Sequence, residues 1–350
     1  MAERATILIP DISGFTEFTG TTELDHAAHI INELLELIIS SNDLGFTLAE
    51  VEGDAVLFYL KEDTPDPQTL VALCLRIFEN FHRRLKVIAR DTVCQCGACQ
   101  GAVDLTLKFI VHHGEIKEIK VAHFIKTAGI DMILAHRLMK NSIDSDEYIL
   151  MTHQCIDRSG RAMPAEQLEW NTANDAYQVI GTVPYAYALL SDVKHRIPAP
   201  PELEEFVVVK GDDNLEVEIN KPLDQVYQTL INVDERKDWM IGVDKIDRDP
   251  VTERIGMQHN CQFMGMTMIN TCLHHAYSQD TAVYVEQVEV PEMSLDTVDY
   301  YDLTLKDHDR THLNFNINWK ETPLPDEHKQ GMLQGIKSNL ESLKAYIEGK

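Results

Sequence analysis

The chain contains no apolar run approaching the roughly 18 residues that a bilayer span requires, and the residues from Met1-Ala2-Glu3-Arg4 onward lack the charged and apolar blocks of a secretion signal. Basic side chains are few: 31 Lys and Arg stand against 57 Asp and Glu, a formal net charge of −26. A surface of that sign repels a phosphate backbone, and with no concentrated basic patch nucleic acid is excluded as a partner. Repeats and low-complexity tracts are absent. The seven cysteines are odd in number and come without a secretion signal, so reduced thiols are expected rather than a disulfide framework. Together these absences lead to the expectation of a cytoplasmic protein without a membrane span.

At about 150 residues per domain, 350 residues make two or three domains, each large enough for its own core. A break is legible in residues 192–206, where Pro198, Pro200 and Pro201 disfavour helix and central strand and leave a linker or an extended strap. The expected division is a first domain over 1–191, a Pro-rich linker over 192–206 and a second domain over 207–350. Before the break, the pattern predicts strands at 5–10 and 103–112, helices at about 22–41 and 67–90, and a hairpin around Gly53. After it, Leu215-Glu216-Val217-Glu218-Ile219 alternates with a period of two and an amphipathic run follows Pro222. Strand-like segments occupy 281–289, 296–305 and 311–319, and a helix closes the chain over about 327–347.

Two segments of the first half each deliver an aspartate from an apolar strand. Ile7-Leu8-Ile9-Pro10-Asp11-Ile12-Ser13-Gly14-Phe15-Thr16 brings Asp11, and Glu50-Val51-Glu52-Gly53-Asp54-Ala55-Val56-Leu57-Phe58-Tyr59 brings Asp54. Carboxylates on adjacent strands are rigidly held and can share Mg²⁺ or Mn²⁺ with a nucleotide's phosphates, which so acidic a chain would otherwise repel. Simpler roles compete: Asp11 as the cap of the turn that follows, and Glu52-Gly53-Asp54 as a hairpin turn and nothing more.

These segments resemble the class III nucleotidyl (adenylate/guanylate) cyclases, whose first strand ends in an Asp followed by Gly-Phe-Thr and whose Gly-Asp-Ala hairpin presents a second metal ligand. Asp11 and Asp54 fall on those positions, with Phe15 and Thr16 in the nucleotide-binding segment. Leu107-Lys108-Phe109-Ile110-Val111-His112-His113-Gly114-Glu115 looks like the family's strand ending in His-x-Gly-Glu. Gly129-Ile130-Asp131-Met132-Ile133-Leu134-Ala135-His136-Arg137-Leu138 matches the helix that carries an Asn and, one turn later, an Arg, both serving the transition state. Arg137 holds the second position, but Ile133 holds the first, and an isoleucine donates no hydrogen bond. Glu50 falls where the family reads the base and is similar to guanylyl cyclases, while Lys126 at the companion position departs from the adenine and guanine patterns alike.

The resemblance covers about residues 5–190 and implies an α+β fold, a ferredoxin-like cyclase-type βαββαβ domain. It also implies a homodimer in which Arg137 completes the partner's site, and attack of the ribose 3′ hydroxyl on the α-phosphate with two metals at Asp11 and Asp54. Loss of one positioning donor costs roughly 10² to 10³ in rate by analogy with an oxyanion donor, so the implied turnover is weak or absent.

The second half resembles the START-like (SRPBCC, polyketide cyclase-like) superfamily. The similarity lies in Ile219-Asn220-Lys221-Pro222-Leu223-Asp224-Gln225-Val226-Tyr227, in Trp239 after a short acidic stretch, and in Gly256-Met257-Gln258-His259-Asn260-Cys261. It implies a helix-grip fold enclosing an apolar cavity for a hydrophobic or amphiphilic small molecule or lipid. Trp239, Phe263, Met264, Met266 and Met268 are the candidate cavity residues, the three methionines alternating along one strand face, and a plain methionine-filled core is the competing reading.

Cys94-Gln95-Cys96-Gly97-Ala98-Cys99 places three thiols in one loop, able as thiolates to bind Zn²⁺ with His112, His113 or Cys155 as the fourth ligand. With no second Cys-x-x-Cys pair and a tight Cys94–Cys96 spacing, reduced loop thiols or a redox-responsive pair are alternatives. The expectation from sequence is a two-domain sensor. A divergent cyclase-like domain binds a nucleoside triphosphate through metal with weak or no turnover, and a START-like domain binds a hydrophobic ligand. An active guanylyl or adenylyl cyclase, and a lipid-binding scaffold without nucleotide binding, are the alternatives.

Overall fold

A computed structural model of the chain describes residues 3–20, 24–61, 65–121, 124–159, 163–164, 168–248, 253–320 and 324–350. It divides into two compact units, one of Met1–Arg90 with Cys96–Pro201 and one of Asp91–Gln95 with Glu202–Lys350. Both mix helices with a sheet.

The first unit runs β1 (Glu3–Ser13), α1 (Phe15–Gly20), α2 (Leu24–Ser40), β2 (Thr47–Glu52), β3 (Ala55–Lys61), α3 (Pro67–Asp91), α4 (Gly97–Gly101), β4 (Thr106–Val121), β5 (Phe124–Ala128), α5 (Ile130–Leu138), β6 (Tyr148–Thr152), α6 (His153–Ser159), β7 (Asn171–Tyr177), β8 (Gly181–Leu189) and α7 (Ser191–Arg196). Its sheet has the order β2-β3-β1-β4-β6-β8-β7, with β5 paired to β4. Among the described residues only β4 and β6 run parallel, joined by the crossover through α5. Strand β1 is central and buried from Ala5 to Ser13, which is why it reads as a continuous apolar run rather than an alternation. On one face Ile7, Ile9, Leu57 and Ile110 pack with Met132, Leu134, Ala135 and Leu138 of α5. Helix α2 buries Ala27, Ile30, Ile31, Leu34 and Ile38, the spacing of a single helical stripe, and lies against β3. Pro67 opens α3, where its missing N–H costs nothing, and the Asp66 side chain accepts from the Thr69 N–H at 2.9 Å.

The second unit runs β9 (Asp213–Ile219), α8 (Leu223–Ile231), α9 (Arg236–Trp239), β10 (Val243–Asp247), β11 (Gln258–Phe263), β12 (Met266–Tyr277), β13 (Thr281–Val290), β14 (Leu295–Asp307), β15 (Arg310–Asn318) and α10 (Asp326–Gly349). All seven strands are antiparallel in the order β10-β11-β12-β13-β14-β15-β9, and α10 packs against β9, α8 and α9. Phe206 stacks on His274 with ring centroids 5.0 Å apart and packs with Val285, Val298 and Tyr300, so the segment after the prolines is an extended strap on one sheet face. The sequence predicted no helix in 192–206, yet α7 reaches Arg196. The prolines that disfavour helix begin only at Pro198.

Candidate functional site

Asp11 lies near the end of β1 and is 7% exposed. The chain then turns at Gly14, whose φ of +89° suits a residue without a Cβ, and enters α1 with Phe15 half-buried and Thr16 exposed. Asp54 occupies the two-residue turn between β2 and β3, where Glu52 pairs with Ala55 and Gly53 takes a φ of +62°. Asp11 pairs with Ala55 across the ladder, and the Ile12 N–H donates to the Asp54 carbonyl at 3.0 Å, so the fold brings the two aspartates together.

They converge on an amine. Lys108 of β4, the cross-strand partner of Asp11, places Nζ 3.1 Å from Asp11 Oδ2. Burial pushes the Asp11 carboxyl above its ordinary range; the charge and hydrogen bond of Lys108 pull it back, and the charge of Asp54 raises it further. Asp54 is also raised, mainly by burial, with its backbone hydrogen bond and Lys108 opposing. Sequence reasoning missed Lys108, although its place in the apolar run Leu105–Val111 was a visible signal. Two carboxylates are suitable oxygen donors for Mg²⁺ or Mn²⁺, but a divalent ion would meet the ammonium already resting on one of them. As placed, these residues do not fit a two-ion centre.

The remaining residues of the resemblance are held by other partners. Glu50 of β2 and Lys126 of β5 form an exposed ion pair at 3.7 Å. Arg137 donates from Nη1 to the carbonyl of Gln178, in the turn between β7 and β8, at 2.8 Å. Ile133 is 49% exposed on α5. The His112-His113-Gly114-Glu115 segment is a structural lock that the sequence did not reveal. Fully buried His112 meets Thr152 Oγ1 at 2.8 Å through Nδ1 and Asp131 Oδ1 at 3.2 Å through Nε2, while Asp131 Oδ2 accepts from the Glu115 N–H at 2.6 Å. Burial pushes the Asp131 carboxyl up, but the bonds from His112 and Glu115, with the His112 and His113 charges, bring it below its ordinary value. A Cβ on Gly114 would lie 2.2 Å from Asp131 Cγ, so only glycine lets α5 seat there.

The cysteine loop gathers a different fourth donor from those named above. Cys96 and Cys99 lie beside His26 of α2, and with Cys94 the four donor atoms are all within 4.8 Å of one another. His112 is engaged by Asp131 and Thr152, and Cys155 is buried on α6 with its thiol pushed up to about 12 by that burial.

In the second unit Trp239 and Met268 are buried, Phe263 and Met266 half-buried. The expected methionine alternation is broken: Met264 and Gly265 form the β11–β12 turn with φ of +48° and +81°, and Met264 is 65% exposed, outside the interior. The buried sheet face is instead strongly polar. Arg236 reaches Glu286 with two bonds of 3.2 and 2.7 Å, and Tyr284 and Tyr301 donate to the same carboxylate. Glu286 pairs across the ladder with Cys272 and Asp299, which puts them on that face. Burial raises Glu253 to about 7 and Asp299 to about 8 and drives His259 down to about 2. His259 Nδ1 faces Glu253 Oε1 at 4.0 Å, too long for a hydrogen bond, and His259 Nε2, Asn270 Oδ1 and Trp239 Nε1 are buried without a hydrogen-bond partner.

A family model described as "Protein of unknown function (DUF2652)" matches residues 31–148. The uncharacterized protein Rv2561/Rv2562 of Mycobacterium tuberculosis (strain ATCC 25618 / H37Rv) is 37% identical over 137 residues, 37% of this chain. The chain spans 62% of the length of that curated relative. Among solved structures, guanylyl cyclase Cya2 is similar over 54% of this chain and 92% of its own, with 15% identity and a TM-score of 0.42. Adenylyl cyclase CyaB from P. aeruginosa is similar over 54% and 94%, with 17% identity and a TM-score of 0.39. The catalytic core of a rhodopsin-guanylyl cyclase with converted specificity, in complex with ATPalphaS, is similar over 53% and 96%, with 16% identity and a TM-score of 0.40. Among the described residues, no helix is long and apolar enough to cross a membrane.

Proposed function

We propose that the first unit is a cyclase-like nucleotide-binding domain that does not cyclise its ligand. The observation that carries this reading is the Lys108 ammonium 3.1 Å from Asp11, where a cyclase of the resembled family would hold a metal. Cyclisation needs two ions to stabilise the attacking and leaving oxygens, and one amine replaces neither pair of contacts. Ile133 removes a positioning donor, and Arg137 is spent on the Gln178 carbonyl of its own chain. Support for retained nucleotide binding comes from the Asp11–Thr16 segment, with Gly14 in its turn, and from the Glu50–Lys126 pair at the base-reading positions of the resemblance. Lys108 then meets the phosphate charge in place of a metal.

A titration of fluorescent GTP and ATP analogues with and without EDTA, with mass spectrometry of the mixture in Mn²⁺, tests this. Binding that survives EDTA and yields no cyclic nucleotide is the expected outcome. A cyclic product selects an active cyclase instead, and absence of nucleotide binding selects a scaffold role.

For the second unit we propose a START-like binder whose ligand is amphiphilic rather than purely apolar. Buried polar atoms without hydrogen-bond partners, among them His259 Nε2, Asn270 Oδ1 and Trp239 Nε1, favour a ligand with a hydrogen-bonding end, since each such atom left unmet costs about 1–3 kcal/mol. Native mass spectrometry of the purified chain checks it: a retained hydrocarbon without polar groups would defeat the proposal.

A further inference from the structure

We infer that His26, Cys94, Cys96 and Cys99 form a structural Zn²⁺ site of the Cys₃His type. The His26 Nδ1 atom lies 3.2 Å from Cys96 Sγ and 3.7 Å from Cys99 Sγ. In a tetrahedral zinc site with bonds of about 2.3 Å to sulfur and 2.0–2.1 Å to nitrogen, neighbouring donor atoms stand roughly 3.5–3.8 Å apart. Cys94, two residues before Cys96 on the same loop, completes a set in which no two donor atoms are more than 4.8 Å apart. Four donors at this spacing are nearly arranged for one ion, and thiolates with an imidazole select zinc over the oxygen-seeking Mg²⁺ or Ca²⁺.

The surroundings suit a thiolate. The Cys99 N–H points to Cys96 Sγ at 3.5 Å, a donor that stabilises negative charge on that sulfur. Cys94 and Cys99 are buried, Cys96 and His26 half-buried, so the ion would be shielded from solvent while the site remains reachable. Because both short contacts involve Nδ1, that nitrogen is the ligand atom and Nε2 carries the proton. The ion joins the first turns of α2 to the loop that leads into α4, two elements already in contact, and fastens the helices that follow the Asp11–Gly14 turn. Zinc binding releases thiol protons, so affinity rises with pH until the thiols are fully ionised.

The experiment is metal analysis of the full chain purified without chelator, followed by zinc removal and Co²⁺ titration. One zinc per chain is expected, with a Co²⁺ spectrum showing tetrahedral d–d bands and thiolate charge transfer. Cys99→Ser and His26→Ala should each weaken metal binding by more than the roughly 10- to 100-fold that losing an outer-shell partner costs, while Cys155→Ser leaves it unchanged. If either ligand variant fails to fold, the intensity of the Co²⁺–thiolate bands in the unaltered chain reports whether three sulfurs bind. A chain that takes up neither Zn²⁺ nor Co²⁺ overturns the site, as does metal that survives both ligand variants or is lost with Cys155. A reversible Cys96–Cys99 disulfide in a chain without metal affinity overturns it in favour of a redox pair.

Discussion

Replacing Lys108 with methionine keeps the length and apolar stem of the side chain and removes only the ammonium beside Asp11. That contact spans 3.1 Å between side chains 18% and 10% exposed, so it is a largely shielded charge-assisted hydrogen bond. Such bonds contribute about 1.5–3 kcal/mol, and each 1.4 kcal/mol is a factor of about ten in a binding constant. A divalent ion that must first displace the amine therefore loses about 10- to 100-fold in affinity. Lys108→Met should recover that factor for Mn²⁺ in calorimetric titration, and adding Asp54→Asn should abolish the gain.

The same variant has a pH signature. Burial has already raised the Asp11 carboxyl above its ordinary 3.8, and losing Lys108 raises it further. A carboxyl with a raised folded-state pKa contributes stability below its unfolded value and loses it as pH rises through the folded one. Metal-free Lys108→Met should thus lose most stability near neutral pH and least below about pH 4, with Mn²⁺ reversing the loss. Equal Mn²⁺ affinity in the two proteins would refute the idea that the lysine holds the ion's place.

Three further outcomes are expected. Gly114→Ala must drive Asp131 off the Glu115 N–H and His112, because the new Cβ would lie 2.2 Å from Asp131 Cγ. Overpacking of about 1–3 kcal/mol with a lost charge-assisted bond of about 1.5–3 kcal/mol gives a loss of about 2.5–6 kcal/mol in urea denaturation, partly recovered by adding Asp131→Ala. Glu286→Leu alone should cost about 3–5 kcal/mol by leaving Arg236 buried and unpaired, whereas Arg236→Met with Glu286→Leu should lie near the unaltered chain. Asp299 and Glu253, raised to about 8 and about 7, hold their protons in the fold while the unfolded chain has lost them, so the second unit should lose stability as pH climbs from about 4 to about 8. Asp299→Asn should flatten that slope in thermal melts, and an unchanged slope would mean the carboxyl is ionised in the fold.

Much of the fold was legible because its elements are dictated locally. The stripe Ala27–Ile30–Leu34–Ile38 announces α2, the run ending at Asp11 announces β1, and the strands at 281–290, 295–307 and 310–318 follow the predicted segments within two residues. The cysteine loop was legible as a set of three sulfurs, but not its fourth donor. His26 lies 70 residues upstream of Cys96, and only the packing of α2 beside α4 brings them together. Lys108 stood out as a lone charge in an apolar run, but its role depends on the register that pairs it with Asp11, which no local pattern encodes. Met264 misled the strand reading because a two-residue turn can be made by any residue tolerating positive φ beside a glycine, and a methionine there looks like one more apolar strand position.

The polar interior of the second unit is a product of strand pairing that composition alone does not display. Cys272, Glu286 and Asp299 sit three or more residues from any neighbour of similar type in sequence, yet cross-strand pairing stacks them into one stripe. Burying an ion pair there gains little stability over an apolar pair of the same size, and a carboxyl whose pKa burial raises to about 8 adds a cost at neutral pH that an alanine would not. A core selected for stability alone would have replaced this stripe with aliphatic residues. On the proposed reading, the polar end of the ligand supplies partners to His259 and Trp239 beside this stripe, so exchanging Asn270 for leucine should weaken binding of an amphiphile more than that of a plain hydrocarbon.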